Sequence, residues 1–263
     1  MNILDKIIAN KKREIELKKS IISVKQLEDS DLFGRRTVSL SESIKTSSGI
    51  IAEHKRKSPS KATINSNFSV EEVVRGYEKA GASGISVLTD SKYFGGSLED
   101  LQLARASVQT PLLRKEFVMD EFQILEAKSN GADAILLIAS VLARTEIKQL
   151  SEFAKALSLE VLLEIHNVEE LEKAVMPSLD LIGVNNRNLK NFETSLKNSF
   201  DLADKIPNDF VKISESGIHS PNDILELKKY GFDGFLIGEN FMKTENPGHA
   251  LENFIAEIDS KKY

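Results

Sequence analysis

Residues 50 to 60 read IIAEHKRKSPS, a run that begins as an apolar β-strand and ends in a polar turn. Residues two apart in a strand share a face, so Glu53 and Lys55 point the same way as Ile51. A sealed core would have to pair or otherwise compensate these two charges. The run therefore either leads into a polar site or is an ordinary amphipathic strand with these charges facing solvent. The pattern of the whole chain decides between the two.

The rest of the chain repeats this kind of strand. Short apolar runs alternate with amphipathic helical stretches, several of which end in glycine shortly before the next strand, where a helix C-cap is expected. The predicted strands are residues 50–55, 84–89, 111–117, 134–140, 160–165, 181–186, 211–216 and 234–238. Eight such units predict an α/β protein of the (β/α)8 TIM-barrel class. A doubly wound open sheet shares the alternation, but the count of eight and the lack of a G-x-G-x-x-G turn after the first strand favour the barrel.

Length and composition agree with one folded unit. The chain has 263 residues, of which 41% are hydrophobic and 29% charged, and single barrels commonly reach this length. We expect a single domain over residues 1–263, with an N-terminal helical extension over 1–48 and the barrel over 49–263. In the extension, Ile3, Ile7 and Ile8 recur at helical spacing, so we expect an amphipathic helix over residues 2–19 whose apolar stripe is covered.

Charge and cysteine content exclude several classes of function. The net charge is -5 and basic residues form no stripe interleaved with aromatic ones, so we expect no nucleic-acid partner. The absence of cysteine excludes disulfides, thiolate metal sites and a cysteine nucleophile. The longest apolar run, residues 134–143, is well below the roughly 18 residues of a membrane span. We therefore expect a cytoplasmic protein with no membrane partner.

Polar side chains gather at the C-terminal ends of the predicted strands. Barrel strands are covered on both faces and should be apolar, so charges within them need an explanation. The residues at these ends are Glu53, Lys55, Lys115, Glu164, Asn185, Arg187 and Glu215. Lys115, Glu164 and Glu215 also continue the apolar stripes of their own strands. The C-terminal end of a barrel is where such enzymes hold their active sites, and we expect these side chains to converge there.

A phosphate site is predicted after the last two strands. Ser216 and Gly217 follow the seventh strand, and Gly238 precedes the short segment ENFM, which could form a helical turn. Loops at these two positions usually bind phosphate in barrels, because exposed backbone N–H groups attract a dianion. Glu239 stands in this segment, so we expect it to contribute through its backbone alone.

Seven segments together resemble the indole-3-glycerol-phosphate synthase family. They are AEHKRKSPS, LTDSKYFGG, PLLRKEF, LLEI, GVNNRNL, SESGI and FLIGENFM, and they occur in order over nearly the whole chain, after an ILDKI opening. The family closes the indole ring of 1-(2-carboxyphenylamino)-1-deoxyribulose 5-phosphate, with loss of carbon dioxide and water, in tryptophan biosynthesis. The resemblance implies a small phosphorylated substrate, no cofactor and no metal, and we expect a monomer or a weak homo-oligomer.

The resemblance also implies a role for each residue. Lys115 would be the general acid of ring closure and Glu164 the general base of dehydration. Glu53 and Lys55 would complete the charged cluster, with Lys55 and Arg187 near the substrate carboxylate, while Asn185 and Glu215 would orient hydroxyls and the lysine. The phosphate would be held by Ser58, Ser216, Gly217, Gly238 and Glu239. The ring would be walled by Phe94, Phe117, Leu136, Ile138 and Leu189, for which plain core packing is an equal alternative.

Three positions depart from the family pattern. Glu116 stands where aspartate is frequent, and its parity points it towards the helices. Asn188 replaces the aspartate of an R-D-L segment, and Ala62 replaces a glycine in the first loop. Of the four scattered histidines, only His166, just beyond the fifth strand, could face the pocket.

Other readings stay open at this point. A phosphoribosylanthranilate isomerase-like barrel should use a cysteine base, which this chain lacks. A tryptophan synthase α-subunit has no need of a lysine on the third strand. A non-catalytic barrel that binds phosphorylated metabolites has no need of both Lys115 and Glu164.

Overall fold

A computed structural model describes residues 3–59, 61, 63–65, 67–188 and 193–261. Eight parallel strands follow one another around a closed barrel, and the last pairs with the first. They are β1 Ile50–His54, β2 Gly84–Leu88, β3 Leu112–Lys115, β4 Ala134–Ile138, β5 Glu160–Ile165, β6 Leu181–Asn185, β7 Val211–Glu215 and β8 Gly234–Ile237. The prediction of a (β/α)8 barrel is confirmed.

Helices precede and connect the strands. The extension contains α1 Ile3–Ile21, α2 Val24–Glu28 and α3 Leu40–Thr46. The helices of the barrel are α4 Val70–Lys79, α5 Ser91–Phe94, α6 Leu98–Ser107, α7 Glu121–Ser129, α8 Arg144–Ala156, α9 Val168–Ala174, α10 Lys197–Leu202, α11 Pro221–Lys229, α12 Glu239–Met242 and α13 Pro247–Ser260. Among the described residues, no helix is both long and apolar enough to cross a membrane.

Local sequence signals explain how the repeating units start and stop. Helix α4 begins at a capping box in which Ser69 accepts the N–H of Glu72 and the Glu72 carboxylate accepts the N–H of Ser69. Its end is followed by Gly81, which has a φ of +89° that other residues rarely adopt, three residues before β2 starts at Gly84. The predicted glycine stops are thus turns from helix to strand.

The barrel interior forms its own apolar cluster. Ile51, Leu113, Leu162 and Ile213 all belong to it, and each lies two residues before a strand-end charge on β1, β3, β5 or β7. The predicted parity is therefore correct, and those charged side chains point into the barrel at its C-terminal end.

The N-terminal extension runs along the whole barrel. Ile3, Leu4 and Ile7 of α1 lie at the cavity at the C-terminal end of the strands. Leu40 and Ile44 of α3 are buried in the interior cluster, and Leu40 packs where a side chain at Gly84 on β2 would otherwise lie. The extension therefore covers the mouth of the barrel and closes its bottom.

Candidate active site

One cavity occupies the C-terminal end of the barrel, with about 1100 Å³ of space that includes its open mouth. Most of the residues predicted from the sequence line it. They are Glu53, Lys55, Ser58, Phe94, Lys115, Phe117, Leu136, Ile138, Glu164, Asn185, Arg187, Glu215, Ser216 and Glu239. Gly217 and Gly238 adjoin two of these residues, whereas Leu189 and Ala62 lie outside the described part of the chain.

Lys115 lies at the centre of the charged groups. Its Nζ is 2.5 Å from Glu215 Oε2 and 3.5 Å from Glu164 Oε2. Burial alone would lower the pKa of Lys115, but the carboxylates of Glu215, Glu164 and Glu53 outweigh it and hold the pKa above its ordinary value. The side chain is therefore an ammonium at neutral pH, positioned at the end of a rigid strand.

Glu215 is buried and only partly satisfied. Its Oε2 accepts from Lys115, but its Oε1 has no hydrogen-bond partner among the described residues. Burial and the nearby charge of Glu164 raise the pKa of Glu215 to about 6, against the lowering effect of Lys115. The carboxylate fits because Gly183 on β6 has no side chain: a Cβ there would lie 2.2 Å from Glu215 Oε1.

Glu53 and Lys55 form the second ion pair of the cavity. Lys55 Nζ is 2.6 Å from Glu53 Oε1, and Ser86 Oγ donates to Glu53 Oε2 at 3.5 Å. Burial raises the pKa of Glu53, but Lys55 and Lys115 outweigh it and leave the pKa below its ordinary value. The lowered pKa keeps the Glu53 carboxylate ionised at neutral pH, beside both lysines.

Glu164 lies between the lysine and a histidine. Its Oε1 is 3.6 Å from Nε2 of His166, whose Nδ1 is 3.3 Å from Oε2 of Glu170 on α9. Burial would lower the pKa of His166, but the hydrogen bond to Glu170 and the charge of Glu164 raise it above its ordinary value. His166 lines an adjoining polar cavity, so it contacts Glu164 from outside the main cavity.

The expected phosphate end has a sharp turn after β7 and a short helix after β8. Ser216 and Gly217 have φ values of +68° and +76°, so the chain turns sharply directly after β7. The four-residue helix α12 starts directly after Gly238, as the ENFM segment predicted. Lys61 forms an ion pair with the Glu239 carboxylate and, against burial, lowers its pKa. A lysine partner therefore holds the carboxylate that a dianion would otherwise meet.

The opposite end of the cavity is apolar. The rings of Phe94 and Phe117 have centroids 6.1 Å apart. Sequence reasoning missed several residues that also line the cavity, namely Ile3, Leu4, Ile7, Pro59, Leu88, Asp90, Glu116 and Leu236. For the first three, the signal was the apolar stripe of α1, which gives the buried face but not its partner.

Two of the sequence departures are described. Glu116 is buried, accepts from Thr89 Oγ1 at 2.8 Å and lies 3.1 Å from Nζ of Lys11 in α1, so it contacts the extension. Asn188 follows Arg187, whose backbone N–H donates to Asn185 Oδ1 at 3.0 Å. The groups described include no cluster of three or more histidine or acidic residues able to hold a metal.

A closed (β/α)8 barrel with a lysine–carboxylate cluster at the C-terminal ends of its strands has the architecture of a barrel enzyme. A sequence model described as indole-3-glycerol phosphate synthase matches residues 4–254. The chain belongs to this family. It is a decarboxylating, ring-closing enzyme of tryptophan biosynthesis.

Curated relatives match this chain over nearly their full length. The chain is 50% identical to an indole-3-glycerol phosphate synthase of Bacteroides thetaiotaomicron over 262 residues, covering 98% of this chain and 99% of the relative. It is 42% identical to one of Campylobacter fetus, covering 97% and 100%. The matches therefore span the sequence of the extension as well as that of the barrel.

Solved structures show the same fold at low identity. A mutant tryptophan synthase α-subunit of Pyrococcus furiosus superposes with a TM-score of 0.62 at 15% identity, covering 81% of this chain and 98% of that one. A thiamine phosphate pyrophosphorylase of the same organism gives 0.60 at 16% identity, covering 84% and 99%. At such identities the likeness concerns the fold alone.

Proposed function

We propose that Lys115 is the general acid of ring closure and Glu164 the general base of the later dehydration. The observation that carries the proposal is the position of the Lys115 ammonium, between Glu215 at 2.5 Å and Glu164 at 3.5 Å, on the floor of the cavity. The acid and the base therefore lie on two different strands of one rigid barrel.

In ring closure, the aromatic carbon attacks the substrate ketone. Negative charge develops on the ketone oxygen, and the Lys115 ammonium donates a proton to it. The resulting intermediate loses its carboxyl group as carbon dioxide, which restores the aromatic ring.

Dehydration then forms the indole double bond. Glu164 removes a proton from the new ring, and the hydroxyl leaves as water after protonation by an acid in the same pocket. Asn185 orients hydroxyl groups, while Glu215 and Glu53 hold the ammonium of Lys115 in place. In this scheme, side chains of the enzyme supply every proton donor and acceptor.

The rest of the cavity binds the substrate. Lys55 and Arg187 attract the substrate carboxylate. The ring packs against Phe94, Phe117, Leu136, Ile138 and Leu189. The phosphate is bound by Ser58, Ser216, Gly217, Gly238 and the backbone of Glu239. Cationic groups for the carboxylate, an apolar wall for the ring and backbone donors for the phosphate together fix the direction in which the substrate lies.

The cellular location and the partners of the enzyme are also proposed. A phosphorylated biosynthetic intermediate carries charges that keep it inside the cell, which supports a cytoplasmic location. We further propose that the enzyme acts as a monomer or weak homo-oligomer without nucleic acid or membrane partners; the net charge of -5 supports the lack of a nucleic-acid partner.

The test is turnover of the carboxyphenylamino-deoxyribulose phosphate, followed by indole fluorescence. Lys115→Met should lower kcat by roughly 10²- to 10⁴-fold with KM largely kept, the loss typical of a general acid. Lys212→Met is the control, since Lys212 lies on β7 with its Nζ turned outward to the carbonyl of Ala203 at 2.8 Å. Equal activity of the two variants would remove Lys115 from this role.

A further inference from the structure

Lys11 interrupts the apolar stripe of α1. Ile3, Ile7, Lys11 and Ile15 recur every four residues and so share one face of the helix. Ile7, Lys11 and Ile15 are the buried residues of α1, and Lys11 is only 2% exposed. A lysine buried to this degree requires partners that compensate its charge.

Those partners come from two different strand ends. Nζ of Lys11 is 2.9 Å from Glu14 Oε2 and 3.1 Å from both Asp90 Oδ2 and Glu116 Oε1. Asp90 follows β2 and Glu116 follows β3. One ammonium therefore joins the extension to the loops that leave two neighbouring strands.

The same two carboxylates hold the backbone of the aromatic wall. Asp90 Oδ1 accepts the N–H groups of Tyr93 and Phe94, at 2.7 and 3.3 Å. Glu116 Oε1 accepts the N–H of Phe117 at 2.9 Å. Each carboxylate thus binds Lys11 and also fixes the main chain of one ring that faces the cavity.

A second contact ties α1 to this wall. The side-chain amide of Asn10 donates to the hydroxyl of Tyr93, the residue before Phe94. In the two turns before Asn10, Ile3, Leu4 and Ile7 line the cavity. The position of α1 and the positions of the two rings are therefore set by one shared group of contacts.

We propose that Lys11 is a positioning residue that fixes the aromatic end of the active site. Its ammonium holds α1, Phe94 and Phe117 in the arrangement that receives the substrate ring, without contacting the substrate itself. This inference rests on the proposed assignment of the two phenylalanines to that ring. Because the walls are ordered before binding, the substrate does not lose affinity in ordering them.

Lys11→Met tests this role, because methionine is apolar and of similar length. The substrate KM should rise by roughly 5- to 100-fold, the range expected when two side chains and a helical turn must be ordered on binding. kcat should stay within about threefold, since the acid and base on β3 and β5 are untouched. Inorganic phosphate, whose proposed site is the loops after β7 and β8, should inhibit with an unchanged inhibition constant.

Lys19→Met is the matched control on the same helix. Lys19 pairs with Asp120 at 2.8 Å on the surface, outside the cavity, so its KM should equal that of the wild type. Partial unfolding cannot produce the expected result, because KM does not depend on the concentration of active enzyme. Glu116→Gln removes the charge from the partner side, and its effect on KM should not add to that of Lys11→Met.

A KM for Lys11→Met within twofold of the Lys19→Met value would overturn the proposal. So would an equal rise in the substrate KM and the phosphate inhibition constant, because that shows a general loss of the site. Should Lys11→Met fail to fold, Glu116→Gln carries the same comparison with less uncompensated charge. A failed assignment of Lys115 as the acid would appear in Lys115→Met alone and would leave the KM pattern intact.

Discussion

Glu215 has the least satisfied carboxylate of the candidate site. It is 1% exposed, one of its oxygens accepts from Lys115, and the other has no hydrogen-bond partner in the described part of the chain. Burial, with the charge of Glu164, raises the pKa of Glu215 to about 6. Because the raised pKa makes the carboxylate bind a proton earlier as the pH falls, its charge is lost within an accessible range.

We predict that kcat/KM falls as the pH drops below about 6, because neutral Glu215 attracts the Lys115 ammonium less. The substrate phosphate titrates in the same range, at about pH 6, but it does so for every variant. Glu215→Gln should therefore be less active throughout and lose the part of the acid limb that belongs to Glu215. Profiles of identical shape for the two enzymes would contradict this assignment.

His54 is a residue whose burial should affect stability instead of catalysis. It lies on β1, is 1% exposed, and its Nε2 has no hydrogen-bond partner among the described groups. Burial, together with the charge of Arg56, lowers the pKa of His54 to about 4. The native state thus holds it neutral, whereas the unfolded chain binds a proton below about pH 6.5.

The free energy of unfolding should therefore decrease as the pH falls from about 6.5 towards 4, with His54 contributing about 2 kcal/mol of the loss between pH 7 and pH 5. His54→Gln should be less stable at pH 7 but should lose less on acidification. Urea unfolding at the two pH values measures the difference. An equal loss in both proteins would show that His54 is not the titrating group.

At the scale of elements, glycines on or directly after the strands provide the room for the buried carboxylates. A Cβ at Gly183 on β6 would lie 2.2 Å from Glu215 Oε1, and one at Gly238, after β8, would lie 2.6 Å from Glu53 Oε1. Real Cβ atoms do not approach other atoms so closely, so a side chain at either position must displace a carboxylate. The backbone of the neighbouring strand therefore helps to determine where each carboxylate lies.

Gly183→Ala should displace Glu215 and with it the ammonium of Lys115, so we expect kcat to fall at least about tenfold, since a misplacement of 1 Å can cost about 10²-fold. Gly34→Ala is the control, because a Cβ at Gly34 meets no atom within 4 Å. Steady-state kinetics of both variants measures the effect. Wild-type kcat in Gly183→Ala would show that the position of Glu215 does not matter.

The strands could be predicted from the sequence more fully than the packing of α1. The strands and the residues on their inner faces could be predicted, because a period of two fixes which side chains share a face. The docking of α1 could not, since an apolar stripe identifies the buried face of a helix but not the surface that it covers. Lys11 was missed for the same reason: its partners Asp90 and Glu116 are distant in sequence and meet only in the fold.

At the scale of the molecule, the extension and the barrel share their packing. Arg35 pairs with Asp133 at 2.6 Å at the start of β4. Leu40 and Ile44 of α3 are buried inside the bottom of the barrel. A deletion that reached residue 40 would therefore remove a core side chain, so the separable part of the extension is α1, residues 3–21.

We propose that residues 1–48 and 49–263 form one domain, and deletions test this. Removal of residues 1–21 should leave a folded barrel with impaired turnover, because α1 lines the cavity. Removal of residues 1–48 should prevent cooperative folding, because the bottom of the barrel loses Leu40 and Ile44. Circular dichroism during thermal unfolding, with activity measured in parallel, distinguishes the two. Full activity without residues 1–21 would show that α1 has no part in the site.

The most direct measurement of the whole account is single-turnover release of carbon dioxide alongside indole fluorescence, in Lys115→Met and Glu164→Gln. If Lys115 donates the proton of ring closure, Lys115→Met should stop both signals, because decarboxylation follows that step. Glu164→Gln keeps the shape of the base but cannot accept a proton, so carbon dioxide should appear ahead of indole. Near-normal carbon dioxide release by Lys115→Met would contradict the account and make Lys55 the candidate acid.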